Sequence, residues 1–278
     1  MDDEPTAGRI LEVTARWTAA VRAAESSRSD RMFEDPWAAD LAGPEGAAWI
    51  AERTPAAIFP IALRTRFFDD WLERVTRDGG INEVVLLAAG LDTRAFRLSW
   101  PAGTALFELD RPGVLRHKED VLDAAAAHPR CRRHLVAGDL TEAWTDVLVA
   151  AGFDSGRPAA WLLEGLLFYL PGELIGRLLD QVTELAAPGS RLGFDAINEL
   201  VLTSPWTRPW VELQAAAGAP WIGTLDDPVG QLAARGWAAT LTQPGEPGAT
   251  HERWTLPVAP RGMPDVPRTW YVTARRTP

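Results

Sequence analysis

The chain has 278 residues, 46% of them hydrophobic, enough to bury a substantial core as one domain or as one domain with an elaborate cap. A formal net charge of −10 leaves too little lysine and arginine to neutralise phosphates over a broad surface, so neither a nucleic-acid nor a membrane partner is expected. The one cysteine, Cys131, allows no internal disulfide and sits among Arg130, Arg132 and Arg133, which is no metal-binding context; a cytoplasmic, metal-free protein is expected.

The N-terminal stretch MDDEPTAGRILEVTARW is acidic and then amphipathic, unlike a signal peptide. From Ile10 to Glu25 the apolar positions Leu11, Val13, Trp17, Ala20, Val21 and Ala24 recur at helical spacing and predict a helix. FEDPWAADL, Phe33 to Leu41, reads as a turn feeding a second helix, with Asp35 as its cap and Pro36 at its first position. A third helix is predicted from Ile61 to Val75. Residues 1–78 are therefore expected to form a helical cap ahead of a core over 79–278.

Past the turn at Asp78, Gly79 and Gly80 the pattern changes to short, continuous apolar runs, the signature of buried parallel strands joined by crossovers. The runs are Val84–Ala89, Ala105–Leu109, His134–Ala137, Ala160–Leu163, Arg191–Ala196, Trp237–Leu241 and Trp270–Ala274. Seven strands suffice for a doubly wound α/β sheet. The gap between the fifth and sixth is too long for a simple crossover, and it contains SPWTRPWVEL in a chain with 13 tryptophans and 22 prolines. An inserted lid or substrate wall is expected at about 197–230.

The first predicted strand ends in the small-residue turn Ala88-Ala89-Gly90, where backbone can approach a ligand at the strand's carboxyl end. The second ends at Asp110, a carboxylate suited to the ribose hydroxyls of an adenosine group. Asp92 discriminates between cofactors. It lies where the next helix begins, the place a dinucleotide would put its pyrophosphate, and a carboxylate there is repulsive. S-adenosyl-L-methionine, which brings a sulfonium and an ammonium, is instead complementary to acidic groups. Asp92 also reads as a plain helix cap. Asp139 with Leu140, closing the third strand, could meet the adenine ring, and Glu164 ends the apolar fourth strand, where an acid is costly to bury without a ligand or a cation.

VVLLAAGLDTRAFRL, FELDRPGVLRHKEDVL and AWLLEGLLFYLP resemble the leucine carboxyl methyltransferase family, most closely its bacterial branch of S-adenosylmethionine-dependent methyltransferases, which includes carboxyl and hydroxyl O-methyltransferases of polyketide pathways. The likeness runs from VRAAESSRSDRMFEDPWAADL through RTRFFDDWL to the final WYVTARR. It implies a class I methyltransferase fold: a Rossmann-like seven-stranded sheet with an antiparallel last hairpin and an N-terminal helical segment over the cofactor. The residues implied to hold the cofactor's carboxylate are Arg22 and Arg64, with Arg66 as the alternative register. The ribose acid falls on Asp110, the adenine pair on Asp139 and Leu140, and the acid at the methionine end on Glu164. Ala88 stands where the family usually has the turn's first glycine, and its methyl narrows the backbone approach.

Methyl transfer from a sulfonium needs chiefly a positioned nucleophile and the exclusion of water. Tyr169 could hydrogen-bond an acceptor or be a packed aromatic. A phenolic acceptor would gain from a general base, for which His251, in GATHERW, is the best-placed histidine or else an ordinary loop residue. The expected activity is O-methylation of a small-molecule methyl acceptor, a carboxylate or hydroxyl of a secondary metabolite such as a polyketide. A protein C-terminal carboxylate and a nicotinamide-dependent oxidoreductase are the alternatives, and a homodimer is left open.

Overall fold

The computed structural model describes residues 7–278; the acidic start of the chain lies outside the described residues. Three helices precede the sheet: α1 (Ala7–Ser26), α2 (Ala38–Ala51) and α3 (Pro55–Arg77). Trp17 and Val21 of α1, Trp49 of α2 and Ala62 of α3 share one apolar cluster, so the three pack on each other as well as on the sheet. Helix α3 opens on an extended Thr54 with Pro55 at its start and ends with Arg74 and Arg77, cations that suit a helix C-terminus.

The second helix departs from the sequence expectation. It begins at Ala38, not at Pro36, and continues past Leu41 to Ala51 through a kink at Gly43, whose φ of 60° precedes Pro44. Asp35 stands two residues ahead of the N-cap position, which Trp37 holds: its Oδ1 accepts from Trp37 N at 3.3 Å, while Oδ2 accepts from Arg22 Nε at 2.8 Å and from Thr93 Oγ1 at 2.6 Å. The one side chain thus ties α1, the turn after the first strand and the approach to α2 together.

The strands are β1 (Glu83–Leu87), β2 (Ala105–Asp110), β3 (Arg132–Ala137), β4 (Ala159–Leu163), β5 (Arg191–Ile197), β6 (Trp237–Thr242) and β7 (Thr269–Arg276). They form one sheet in the order β3-β2-β1-β4-β5-β7-β6. β1 to β5 are parallel, and β7 runs antiparallel between β5 and β6. Every residue of β1, β2 and β4 is buried, which is why these strands read as unbroken apolar runs. Alternate residues feed opposite faces. Val85, Leu87, Phe107 and Trp161 join Trp144 and Leu148 of α6 (Trp144–Ala150) and Leu178 and Leu179 of the helix Gly172–Leu185, while Val84, Leu86, Leu106 and Leu162 pack under Phe67, Phe68 and Trp71 of α3. At the centre of β5 no side chain fits: a Cβ on Gly193 would lie 2.9 Å from the Trp71 ring.

The crossovers carry α4 (Arg94–Arg97), α5 (Pro112–Ala124), α6 and α7 (Gly172–Leu185). Between β5 and β6 come α8 (Glu199–Thr203), α9 (Arg208–Ala216) and α10 (Pro228–Ala233), the first two within the stretch expected to be inserted. A second long connection, over 243–268, joins β6 to β7 and is irregular. It is braced by its own polar contacts: Glu246 accepts from Arg261 at 2.6 Å, and Arg268 Nη2 donates to the carbonyls of Pro260 and Met263 at 2.7 and 2.9 Å. Among the described residues no helix is long and apolar enough to cross a membrane.

Candidate active site

A cavity of about 650 Å³ opens at the carboxyl ends of β1, β2, β4 and β5, the crevice where doubly wound sheets hold ligands. Its floor is the turn after β1. Ala89 N extends the ladder to Leu109 O at 3.1 Å, and Gly90 N donates to Asp110 Oδ2 at 2.7 Å. Ala88 and Gly90 both take left-handed backbone, φ 50° and 52°. For alanine that conformation costs about 1 kcal/mol that glycine would not bear. Ala88→Gly is therefore expected to stabilise the protein by about 0.5–1 kcal/mol net of the added chain entropy, read as a rise in Tm of about 2 °C. An unchanged or lower Tm would show that the Ala88 methyl earns its place by packing.

Asp110 is 6% exposed and uses one lone pair per oxygen, Oδ2 for Gly90 N and Oδ1 for Arg111 N at 2.7 Å. An ionised carboxylate accepts about four hydrogen bonds, so acceptor capacity remains for a vicinal diol. Burial pushes its pKa up, more than the two backbone donors pull it down.

Behind this turn lies a chain of buried ion pairs. Arg94, 2% exposed, donates through Nε to Asp69 at 2.6 Å, through Nη2 to Glu164 at 2.7 Å, and through Nη1 to Asp92. Glu164 also accepts from Arg64 Nε at 3.0 Å, and Arg64 Nη1 reaches Asp195 at 2.9 Å. Asp195 is oriented by Gly165 N at 2.6 Å. Asp92 is buried, which alone would raise its pKa, yet the neighbouring Arg94 guanidinium and more distant cations hold it down at about 2. It also accepts from Arg94 N at 2.6 Å, so the role of organising the start of α4 is real, and its charge is spent on Arg94 rather than presented bare to a ligand. Three arginines on the cavity wall, Arg22, Arg64 and Arg94, face four carboxylates, Asp92, Asp110, Glu164 and Asp195. Such a wall complements a cation.

The rest of the lining is aromatic and apolar. Trp17 and Trp49 stack with centroids 5.0 Å apart, and the Arg53 guanidinium lies over the Trp49 ring at 3.9 Å. Phe168, Tyr169, Trp210 and Trp221 come from the end of β4 and from the lid, while Trp206 stands 90% exposed at the rim. The connection 243–268 adds Pro244, Trp254, Leu256 and Pro267, a second wall not anticipated from the sequence.

Of the residues singled out from the sequence, Arg22, Arg64, Ala88, Gly90, Asp92, Asp110, Glu164 and Tyr169 line this one cavity. Arg22 does so with its guanidinium already bound to Asp35 and to Leu91 O at 2.5 Å. Arg66 does not line it; it donates to Met32 O at 2.7 Å and pairs with Asp70 at 2.6 Å, so Arg64 is the register that faces the cavity. Three residues singled out from the sequence do not line this cavity. Asp139 is outside the wall, its Oδ1 taken by Thr141 N and Oγ1 at 2.8 and 2.7 Å, and Leu140 is packed in the apolar cluster with Leu109 and Trp144. His251 is also outside: left-handed backbone at His251 and Glu252 turns the ring toward Asp70, 3.8 Å away, and burial lowers its pKa.

Sequence reasoning missed Arg94, Asp69, Asp195 and Gln214. Asp195 carried the signal used for Glu164, an acid near the carboxyl end of an apolar strand. Arg94 was in view as the last residue of VVLLAAGLDTR, but nothing local shows that it reaches Asp69 and Glu164.

A family model described as leucine carboxyl methyltransferase matches residues 15–183. A Streptomyces coelicolor protein bearing the name "Putative S-adenosyl-L-methionine-dependent methyltransferase SCO7813" is 43% identical over 245 residues, covering 82% of this chain and 83% of its own. A Parafrankia protein of the same class name is 49% identical over 193 residues, a match that spans 66% of this chain and 62% of that protein. Among solved structures, a DUF574 family protein from Streptomyces avermitilis superposes with a TM-score of 0.62 at 16% identity, covering 96% and 99% of the two chains. A structure from Thermobifida fusca, labelled a methyltransferase, gives 0.61 at 20% identity with 94% of both covered, a likeness of fold.

Proposed function

Since the chain belongs to the leucine carboxyl methyltransferase family and works with S-adenosyl-L-methionine, we propose that it O-methylates a small, largely apolar molecule, a carboxylate or hydroxyl of a secondary metabolite such as a polyketide. The observation that carries this reading is the division of one cavity into an acid-lined end beside the β1 turn and a tryptophan-rich end under the lid.

The residues fit the cofactor. Asp110 retains acceptor capacity for the ribose hydroxyls, the left-handed turn at Ala88 to Gly90 brings backbone close, and the excess of carboxylates over arginines suits a cation. Arg64 keeps Nη2 clear of its pairs with Glu164 and Asp195, available to a carboxylate. The bound cofactor supplies a methyl group activated by its sulfonium. The protein contributes position and dryness: apolar rings hold the acceptor and displace water. Tyr169, whose pKa burial raises, stays a neutral phenol able to donate to or accept from the acceptor. The cavity wall contains no histidine, and the reading needs no protein base when the acceptor oxygen is already ionised.

Calorimetric titration with S-adenosylhomocysteine and with NAD, followed by methyl transfer to a panel of small aromatic acids and phenols and to a peptide ending in a free carboxylate, tests the reading. Binding of the first ligand and labelled methyl ester or ether on the small molecules are expected. Transfer to the peptide alone would overturn the small-molecule assignment.

A further inference from the structure

Two polar atoms under the lid are buried and, among the described residues, make no hydrogen bond of ordinary geometry. Gln214, on α9, is 4% exposed and its Oε1 is one of them; the Nε1–H of Trp221, five residues past α9, is the other. Both side chains line the cavity, and both interact with the Tyr169 hydroxyl, pulling its pKa down against the larger effect of burial. A buried donor or acceptor left unmade costs about 1–3 kcal/mol, so such atoms persist where a ligand completes them.

Their placement is fixed by backbone. Ile222 N and Gly223 N both donate to Phe168 O, at 2.7 and 3.0 Å, and Ala219 N donates to Gln214 O at 2.9 Å. A Cβ on Gly223 would fall 2.2 Å from Leu167 O, so only glycine lets this segment lie so close on the turn after β4. The Trp221 ring is packed against Phe168, centroids 4.9 Å apart. An acceptor oxygen and a donor nitrogen are thus preorganised on a rigid wall.

We propose that Gln214 and Trp221 select a neutral hydroxyl on the molecule to be methylated, the hydroxyl donating to Gln214 Oε1 and accepting from Trp221 Nε1, and that they discriminate against a carboxylate in that position. A carboxylate offers no donor to Gln214. It would also enter a cavity in which carboxylates outnumber arginines, and Arg64 Nη2, clear of that side chain's ion pairs, is the group for the cofactor's own carboxylate. The partner is therefore a hydroxylated, otherwise apolar aromatic. This hydroxyl is an anchor, distinct in role from the oxygen that takes the methyl group, and the inference rests on the methyltransferase reading only in calling the bound molecule the methyl acceptor.

The test uses 2-naphthol and 2-naphthoate at pH 7, one neutral and one ionised, titrated into the full chain with and without S-adenosylhomocysteine while tryptophan fluorescence is followed. Naphthol is expected to bind about tenfold or more tightly than naphthoate. W221F, which keeps the ring and removes the donor, and Q214M, which keeps the length and removes the acceptor, should each weaken naphthol about tenfold and leave naphthoate unchanged, so that the preference narrows toward one. Equal or tighter naphthoate binding, a preference untouched by both variants, or binding of neither probe to protein that binds S-adenosylhomocysteine would overturn the proposal. Failure to bind S-adenosylhomocysteine with the naphthol preference intact would instead overturn the methyltransferase reading and leave the hydroxyl site standing.

Discussion

Replacing Arg94 by methionine is expected to destabilise the fold by about 3–5 kcal/mol, the usual cost of removing one partner from a buried ionic network. The guanidinium joins three carboxylates from three places in the chain: Asp69 on α3, Asp92 after β1 and Glu164 after β4. Methionine fills similar volume, so the loss is of charge and hydrogen bonds more than of packing. Asp69 would keep Arg97 and Glu164 would keep Arg64, but Asp92 would lose the neighbour that does most to hold its pKa down. The sign of the pH dependence follows. In the native protein Asp92 has a folded pKa of about 2, below its ordinary value, so its contribution is present above that ordinary value and fades as pH falls toward 2. In R94M Asp92 loses that opposing charge and desolvation pushes its pKa upward instead, so the variant should recover part of its deficit on acidification from neutral pH. Urea midpoints at pH 7.5 and pH 5 measure both effects. A loss under about 1 kcal/mol at either pH would mean that the network is solvated and dispensable.

How much of this could be read from the sequence depends on whether the cause was local. The inner strands could, because burial on both faces imposes apolar runs and leaves little room for another interpretation of Val84 to Ala89 or Ala160 to Leu163. The positions of Asp110 and Glu164 could, since a carboxylate at the end of such a run has to be explained. The extent of α2 could not: Gly43 and Pro44 look like a terminator, and only packing against α1 carries the helix past them. Asp35 keeps a short-range bond from Trp37 N, but its closer partners, Arg22 and Thr93, are 13 and 58 residues away and leave no local trace. Gln214 gave no signal at all. Its meaning depends on a missing partner, and a sequence shows residues but not the bonds they fail to make.

Asp110→Asn should weaken S-adenosylhomocysteine binding by about 100-fold while leaving the fold intact. Asparagine retains an oxygen for Gly90 N, so the β1 turn keeps its anchor, but the side chain gives up the bond from Arg111 N, loses its charge and gains donors that face ribose hydroxyls, themselves donors. Two charge-assisted hydrogen bonds, each worth about 1.5–3 kcal/mol, are replaced by weaker neutral ones, and a net loss near 3 kcal/mol is about 100-fold. The pH profile separates this role from a structural one. Burial raises the Asp110 pKa, so in the free protein its ionisation costs stability: the contribution is most favourable below the ordinary carboxylate value and is lost as pH rises through the raised one. Ribose hydroxyls donate to the ionised form, so affinity runs the opposite way, strengthening as pH rises through the same pKa. Calorimetry across that range should show a pH-dependent affinity for the native chain that D110N lacks. If D110N binds as tightly as the native protein, or keeps the same pH profile, Asp110 is merely the staple of the β1 turn and the ribose must be held elsewhere.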